Sequence, residues 1–295
     1  MRALFTFLIF LAVSTAQAAH DAGPLTTDPV ADAMFPPSVE ELTMEVDGKR
    51  LSGLLYLANG FGPHPTVVLL HGLPGNEKNL DIAQAVRRAG FNVMFFHYRG
   101  AWGSEGDYAL TQLPEDVAAA INFLRDHATR YRIDTRKLSL LGHSMGGYAS
   151  LAAGSKDRGL VCVGAMSPAN LGLMAEGIRV GEPSAQQFLD YADGLFMLHN
   201  FNGKSMRKDL LSASAMSLDT RYFGAGLRGK SVLMIAGSSD VVTPPVSMFD
   251  PTVAAYARDP GIDLRHFTIT GDHSFSWSRI QLTELILDWL QSDCR

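Results

Sequence analysis

Short continuous apolar runs recur along the chain, bounded by Gly, Pro or polar residues and alternating with stretches whose apolar positions fall on one helical face. Runs at 43–46 and 51–57, separated by Asp47-Gly48, predict a β-hairpin, because Asp-Gly supplies the positive φ that a tight turn demands. Further strands are predicted at 66–70, 91–96, 137–141, 160–166, 231–237 and 264–269, with helices at 76–89, 114–129, 145–156 and 277–291. Ile82, Val86 and Ala89 share one face of the first helix, which Gly90 ends, and Val117, Ile121 and Leu124 share one face of the second. Buried strands alternating with helices predict an α/β fold: a mostly parallel eight-stranded sheet with helices on both faces. No internal repeat or low-complexity tract interrupts the pattern.

Three segments stand outside this alternation. Residues from about 168 to 228 are too many for a simple connection and are expected to fold as a helical cap inserted before the seventh strand. Met174, Phe188, Phe196 and Phe201 within it are candidates to line a pocket for an apolar acyl or aromatic group, the alternative being that they form the cap's own core. At the other end, Met1-Arg2, an apolar stretch over 3–13 and Ala16-Gln17-Ala18 have the form of a secretory signal peptide, residues 1–18. That stretch is too short to span a bilayer, so export to the periplasm or medium without a stable membrane anchor is expected. Residues 19–38, rich in Pro, Ala and Asp, read as an irregular lead-in to a single domain over 39–295.

With 295 residues, 46% of them hydrophobic, the chain can fill one large core. A net charge of −5 and an isoelectric point near 6.0 argue against a nucleic-acid partner, which calls for clustered Lys and Arg. Neither a phosphate-binding Gly-rich loop with lysine nor a His or Cys metal signature is present, so no cofactor or metal is expected. Cys162 falls mid-strand and Cys294 is the penultimate residue, and both are expected to be free thiols.

The chemistry must then come from side chains. Gly142-His143-Ser144-Met145-Gly146-Gly147 follows a predicted strand and opens a predicted helix, which places Ser144 on a tight, strained turn as a candidate nucleophile. The loop His71-Gly72-Leu73-Pro74-Gly75 follows another strand and can aim the Leu73 N–H at the same point. Together with the N–H of Met145, at a helix N-terminus, it would form an oxyanion hole. A serine nucleophile needs a base and an orienting acid. Asp240 lies on the loop after the 231–237 strand and His273 on the loop after the 264–269 strand, so the order is Ser144, Asp240, His273. His71, His97 and His143 also fall at strand ends or turns, where packing or hydrogen-bonding roles are expected. Asp272 adjoins His273 and would need a chain reversal to reach its ring.

On these residues, with Tyr98-Arg99-Gly100 and Gly103-Ser104-Glu105-Gly106, the chain resembles the α/β-hydrolase superfamily over roughly residues 40 to 292. It is most similar to the serine aminopeptidase-like and dienelactone hydrolase-like serine hydrolases. The resemblance implies Ser144 as nucleophile, His273 as general base and acid, and Asp240 as orienting acid. Dienelactone hydrolases proper carry cysteine at the elbow, and haloalkane dehalogenases and epoxide hydrolases carry aspartate, so serine here points away from those reactions. Arg99 and Glu105 are expected to hold a surface loop. The activity expected is hydrolysis of small, apolar carboxylic esters. The rivals are a peptidase on the same residues, with Glu176 or Glu182 holding a peptide terminus, and a catalytically silent binding protein on the same fold.

Overall fold

The computed structural model describes residues 23–295, so the expected signal peptide lies outside the described residues. From Gly23 the chain runs without helix or strand to β1 (Ser38–Val46), which pairs antiparallel with β2 (Lys49–Leu57). The turn between them is Asp47-Gly48, both at positive φ (49° and 71°), as the hairpin reading requires. There follow β3 (His64–Leu70), α1 (Leu80–Arg88), β4 (Asn92–Phe96), α2 (Leu113–Asp126), β5 (Ile133–His143), α3 (Met145–Gly154) and β6 (Leu160–Met166). The eight-stranded sheet has the order β1-β2-β4-β3-β5-β6-β7-β8 and is parallel from β4 onward, β7 being Ser231–Gly237 and β8 Asp263–Ile269. Its central strands are buried throughout, hence their unbroken apolar runs.

The first helix starts at Leu80 rather than 76. Residues 71–79 stay in a loop, and Asn79 at φ 56° turns the chain into the helix. A helix absent from the predicted elements, α9 (Asp250–Tyr256), lies between β7 and β8; its Asp-Pro start is a helix N-terminal signal. Between β6 and β7 the chain forms α4 (Leu171–Val180), α5 (Pro183–Ala192), α6 (Gly203–Ser212) and two single turns, α7 (Ala215–Leu218) and α8 (Gly224–Leu227). The buried residues of α4 to α6, including Leu171, Leu189, Met206 and Leu210, belong to the same apolar cluster as α2, α3 and one face of the sheet. Each such side chain contributes about 1.5–3 kcal/mol by leaving water.

The expectation of two free thiols is wrong: Cys162 and Cys294 form a disulfide, their Cα atoms 5.8 Å apart. The closing helix α10 (Arg279–Asp293) crosses β6 on the face opposite the cap, with Trp289 pressed against Gly164, and so delivers Cys294 to the strand. The bond closes a loop of 132 residues. Restricting so long a loop in the unfolded chain is worth several kcal/mol, so Cys294→Ser is expected to cost about 2–5 kcal/mol in urea unfolding. Wild-type stability in that variant would contradict the crosslink.

Arg99 and Glu105 do hold the loop that follows β4. The buried Arg99 guanidinium pairs with Asp116 on α2, with Glu115 at 2.9 Å and with Asp47 of the hairpin turn at 2.9 Å, while Glu105 pairs with Arg50 of β2.

Candidate active site

At the carboxyl end of the central strand β5 the chain turns sharply into α3, and Ser144 occupies the turn at φ 56°, ψ −117°. The turn is closed by two glycines. A Cβ on Gly142 would lie 2.0 Å from the Gly146 carbonyl oxygen, and one on Gly146 would lie 2.3 Å from that of Leu70. Neither place admits a side chain. The backbone of Ser144 is fixed from β6, where the Met166 carbonyl accepts its N–H at 2.8 Å.

Two further loops converge on this hydroxyl. The His273 ring stands with Nε2 2.9 Å from Ser144 Oγ and Nδ1 2.8 Å from Asp240 Oδ2. Asp240 is itself held by the backbone N–H groups of Val242 (2.8 Å) and Thr243 (2.9 Å) and by the Thr243 hydroxyl (2.8 Å). Burial pushes its carboxyl up, but the hydrogen bonds and the charge of His273, with those of Thr243, outweigh it and hold the group down at about 2. Asp240 is therefore a carboxylate at neutral pH, aimed at the imidazole. Asp272 turns the other way and accepts from Ser274 N, Ser276 N and Ser276 Oγ.

The remaining histidines near the site do not bond to Ser144. Nδ1–H of His71 donates to the Gly72 carbonyl at 2.7 Å, and Nε2–H of His143 donates to the carbonyl of His273 at 2.7 Å. Burial depresses both, to about 4, and lowers His97 to about 3, so all three are neutral near pH 7. Gly72 lies directly against Ser144, where a Cβ would come within 2.9 Å of the serine Cβ. Leu73 follows Gly72 in this loop. Its N–H and that of Met145, the first residue of α3, have no acceptor among the described residues. Backbone donors left unpaired in this way are of the kind that can receive a developing oxyanion.

This arrangement sits on a widely shared scaffold. Residues 55–161 match the family model described as BD-FAE. Among solved structures, Est1E from Butyrivibrio proteoclasticus superposes with a TM-score of 0.66 at 18% identity, covering 86% of this chain and 98% of that one. The acylaminoacyl peptidase of Pyrococcus horikoshii superposes with a TM-score of 0.66 at 15% identity, over 88% of this chain and 42% of that one. The chain has the α/β-hydrolase fold. Among curated relatives, the uncharacterized protein YfhR of Salmonella typhimurium is 28% identical over 82% of this chain and 77% of its own length. Esterase EstD of Thermotoga maritima is 30% identical over 45% of this chain and 34% of its own.

The cap uses its aromatic residues differently from the pocket expectation. Phe201 is buried and packs edge-on against Tyr108, ring centroids 5.0 Å apart, so its surface is spent on the core. Phe196 is 92% exposed and lines no wall. Met174 and Phe188 are half-buried and pack against the cap's core, each keeping a free edge. Sequence reasoning missed Thr243, whereas His143 has the hydrogen-bonding role expected of a histidine beside the site. Thr243 follows Asp240 by three, the spacing at which an Asp side chain caps its own turn, and that signal could have marked it.

Proposed function

We propose that this α/β-hydrolase cleaves carboxylic esters by a two-step acyl transfer through Ser144, His273 and Asp240. The reading is carried by one observation: an unbroken hydrogen-bonded line from Asp240 through His273 to Ser144, with links of 2.8 and 2.9 Å. Ser144 Oγ attacks the ester carbonyl as His273 takes its proton, Asp240 stabilises the imidazolium, and the Leu73 and Met145 N–H groups receive the oxyanion. His273 then protonates the leaving alcohol, and water repeats the cycle on the acyl-enzyme. No step calls for a cofactor.

The ester reading is supported by EstD, which is named an esterase, and by Est1E, solved with ferulic acid bound, while the acylaminoacyl peptidase shares the same fold. Aromatic acyl groups of that kind suit the free edges of Met174 and Phe188. Neither carboxylate that could hold a peptide terminus is presented for that purpose. Glu176 pairs with Arg179 on the exposed face of α4, and Glu182 stands exposed before α5. Export fits the disulfide, since such bonds persist in oxidising compartments, and we propose that residues 1–18 are removed there.

Hydrolysis of esters graded from acetate to dodecanoate, with methyl ferulate and aminoacyl p-nitroanilides in parallel, tests the reading. Turnover of short-chain and aromatic esters well above that of the anilides is expected. Faster anilide turnover would replace the esterase reading with the peptidase one, and no turnover with no serine labelling would favour a silent binding protein.

A further inference from the structure

We infer that Trp102 is a positioning residue that holds the oxyanion loop in place and ties it to the cap, an inference that rests on the acyl-transfer reading above. The loop over residues 71–75 has little to fix it. Pro74 lacks an N–H, and the Leu73 N–H must stay unpaired to serve. Beyond the Tyr98 hydroxyl, which donates to the His71 carbonyl at 3.3 Å at the start of the loop, what holds the loop comes from two rings. Nδ1–H of His71 donates to the Gly72 carbonyl at 2.7 Å, and because a trans peptide points its C=O and N–H in opposite directions, this bond sets the direction of the Leu73 N–H. Two peptides further on, the indole Nε1–H of Trp102 donates to the Pro74 carbonyl at 2.8 Å.

Gly75 is caught between the same two rings. A Cβ there would stand 2.8 Å from both Trp102 Nε1 and the His71 imidazole, so the indole presses directly on the loop. The indole is in turn held by His97, stacked at 6.1 Å, and by Lys78, whose ammonium lies 5.5 Å from the ring. Trp102 also adopts φ 51°, a conformation that costs a bulky residue energy and persists only where its surroundings dictate it.

Those surroundings are the cap. The Trp102 N–H donates to the Met197 carbonyl at 3.1 Å, Ala101 bridges Leu198, and the His199 N–H donates to the Gly100 carbonyl at 2.7 Å. The Asp107 carboxylate accepts from His199 Nδ1 at 2.9 Å and from Asn200 Nδ2 at 2.8 Å, which pins the same cap segment. A continuous set of bonds thus runs from the cap segment at 197–200, through the backbone of Trp102, out along its side chain and onto the loop that carries Leu73. Movement of the cap on substrate entry is transmitted to the oxyanion donor by this residue. The coupling belongs to the step in which negative charge develops and not to ground-state binding.

Trp102→Phe keeps an aromatic ring and removes the N–H. In this variant kcat for p-nitrophenyl acetate is expected to fall about tenfold, short of the 100-fold or more that follows loss of an oxyanion donor itself, with KM within twofold. A trifluoromethyl ketone, which Ser144 converts to an anionic hemiketal in the same hole, is expected to lose affinity by the same factor as kcat. A purely structural role would lower the melting temperature without making the two factors agree. A folded variant with unchanged kcat and unchanged ketone affinity overturns the inference.

Amide exchange in the wild-type protein supplies a second measurement that needs no variant. Binding of the ketone is expected to slow exchange at 71–79, 98–108 and 195–201 together, and protection confined to 71–79 overturns the coupling. A wild type that neither turns over esters nor reacts with the ketone is a different result, since it removes the acyl-transfer reading and this inference with it.

Discussion

Ser144→Ala is expected to lower kcat toward esters by about 10⁶-fold, with the folded protein melting as the wild type does. The magnitude follows from the way the three side chains act as one unit. Without the hydroxyl, the proton that His273 would accept is absent, and the Asp240–His273 pair at 2.8 Å has nothing to activate. Removing the imidazole as well is therefore expected to cost little more: Ser144→Ala/His273→Ala should match the single variant within a few-fold. Asp240→Asn is expected to lose about 10⁴-fold, because an amide holding the Nδ1 edge favours the wrong imidazole tautomer. Substrate binding should survive in all three, so KM or a competitive-inhibitor constant stays near the wild-type value. Additive losses in the double variant would mean that Ser144 and His273 serve separate functions.

Stability is expected to fall steeply as the pH drops from about 6.5 toward 4. Burial lowers His71 and His143 to about 4 and His97 to about 3, whereas in the unfolded chain each titrates near 6.5. Within that window the unfolded chain binds three protons that the native state refuses, so native stability, complete above 6.5, is lost as the pH falls toward the folded values. Asp116 acts in the opposite sense. Burial, partly countered by Arg99, raises its carboxyl to about 6, so the native state takes up one proton there before the unfolded chain does. Three protons against one leaves a net of two, or about 3 kcal/mol of stability per pH unit. Urea unfolding at pH 7, 6 and 5 measures the slope directly. His143→Gln, which keeps a donor for the His273 carbonyl, is expected to reduce that slope by about 1.4 kcal/mol per pH unit. A flat profile between pH 7 and 5 would show that these imidazoles are protonated without unfolding.

How much of this was legible in the chain depends on whether the cause is local. The strands at 160–166 and 231–237 are as the apolar runs predict, because a strand buried on both faces has no other composition available. Gly142 and Gly146 announce the elbow, since backbone packs where their side chains would be. The order of the loops bearing Asp240 and His273 is equally local, each sitting at the end of a recognisable strand. What escaped the sequence depends on which segments meet in space. The Cys162–Cys294 bond exists because α10 folds back across β6, a juxtaposition that no spacing of two cysteines encodes. Phe196 and Phe201 have the same composition signature, yet one faces water and the other fills the core, because the turn before Leu198 points them apart. Trp102 carries no local signal either, because its role depends on the Pro74 carbonyl meeting the N–H of its indole.

Whether the hydroxyl of Ser144 is the group acylated during turnover is decided by fluorophosphonate labelling followed by tryptic mapping. One phosphonyl adduct per chain is expected, on the peptide running from 138 to 156 and at Ser144 itself, formed at a rate that falls when His273 is replaced by alanine. An adduct on any other residue, or an unlabelled protein that still hydrolyses esters, would refute the assignment.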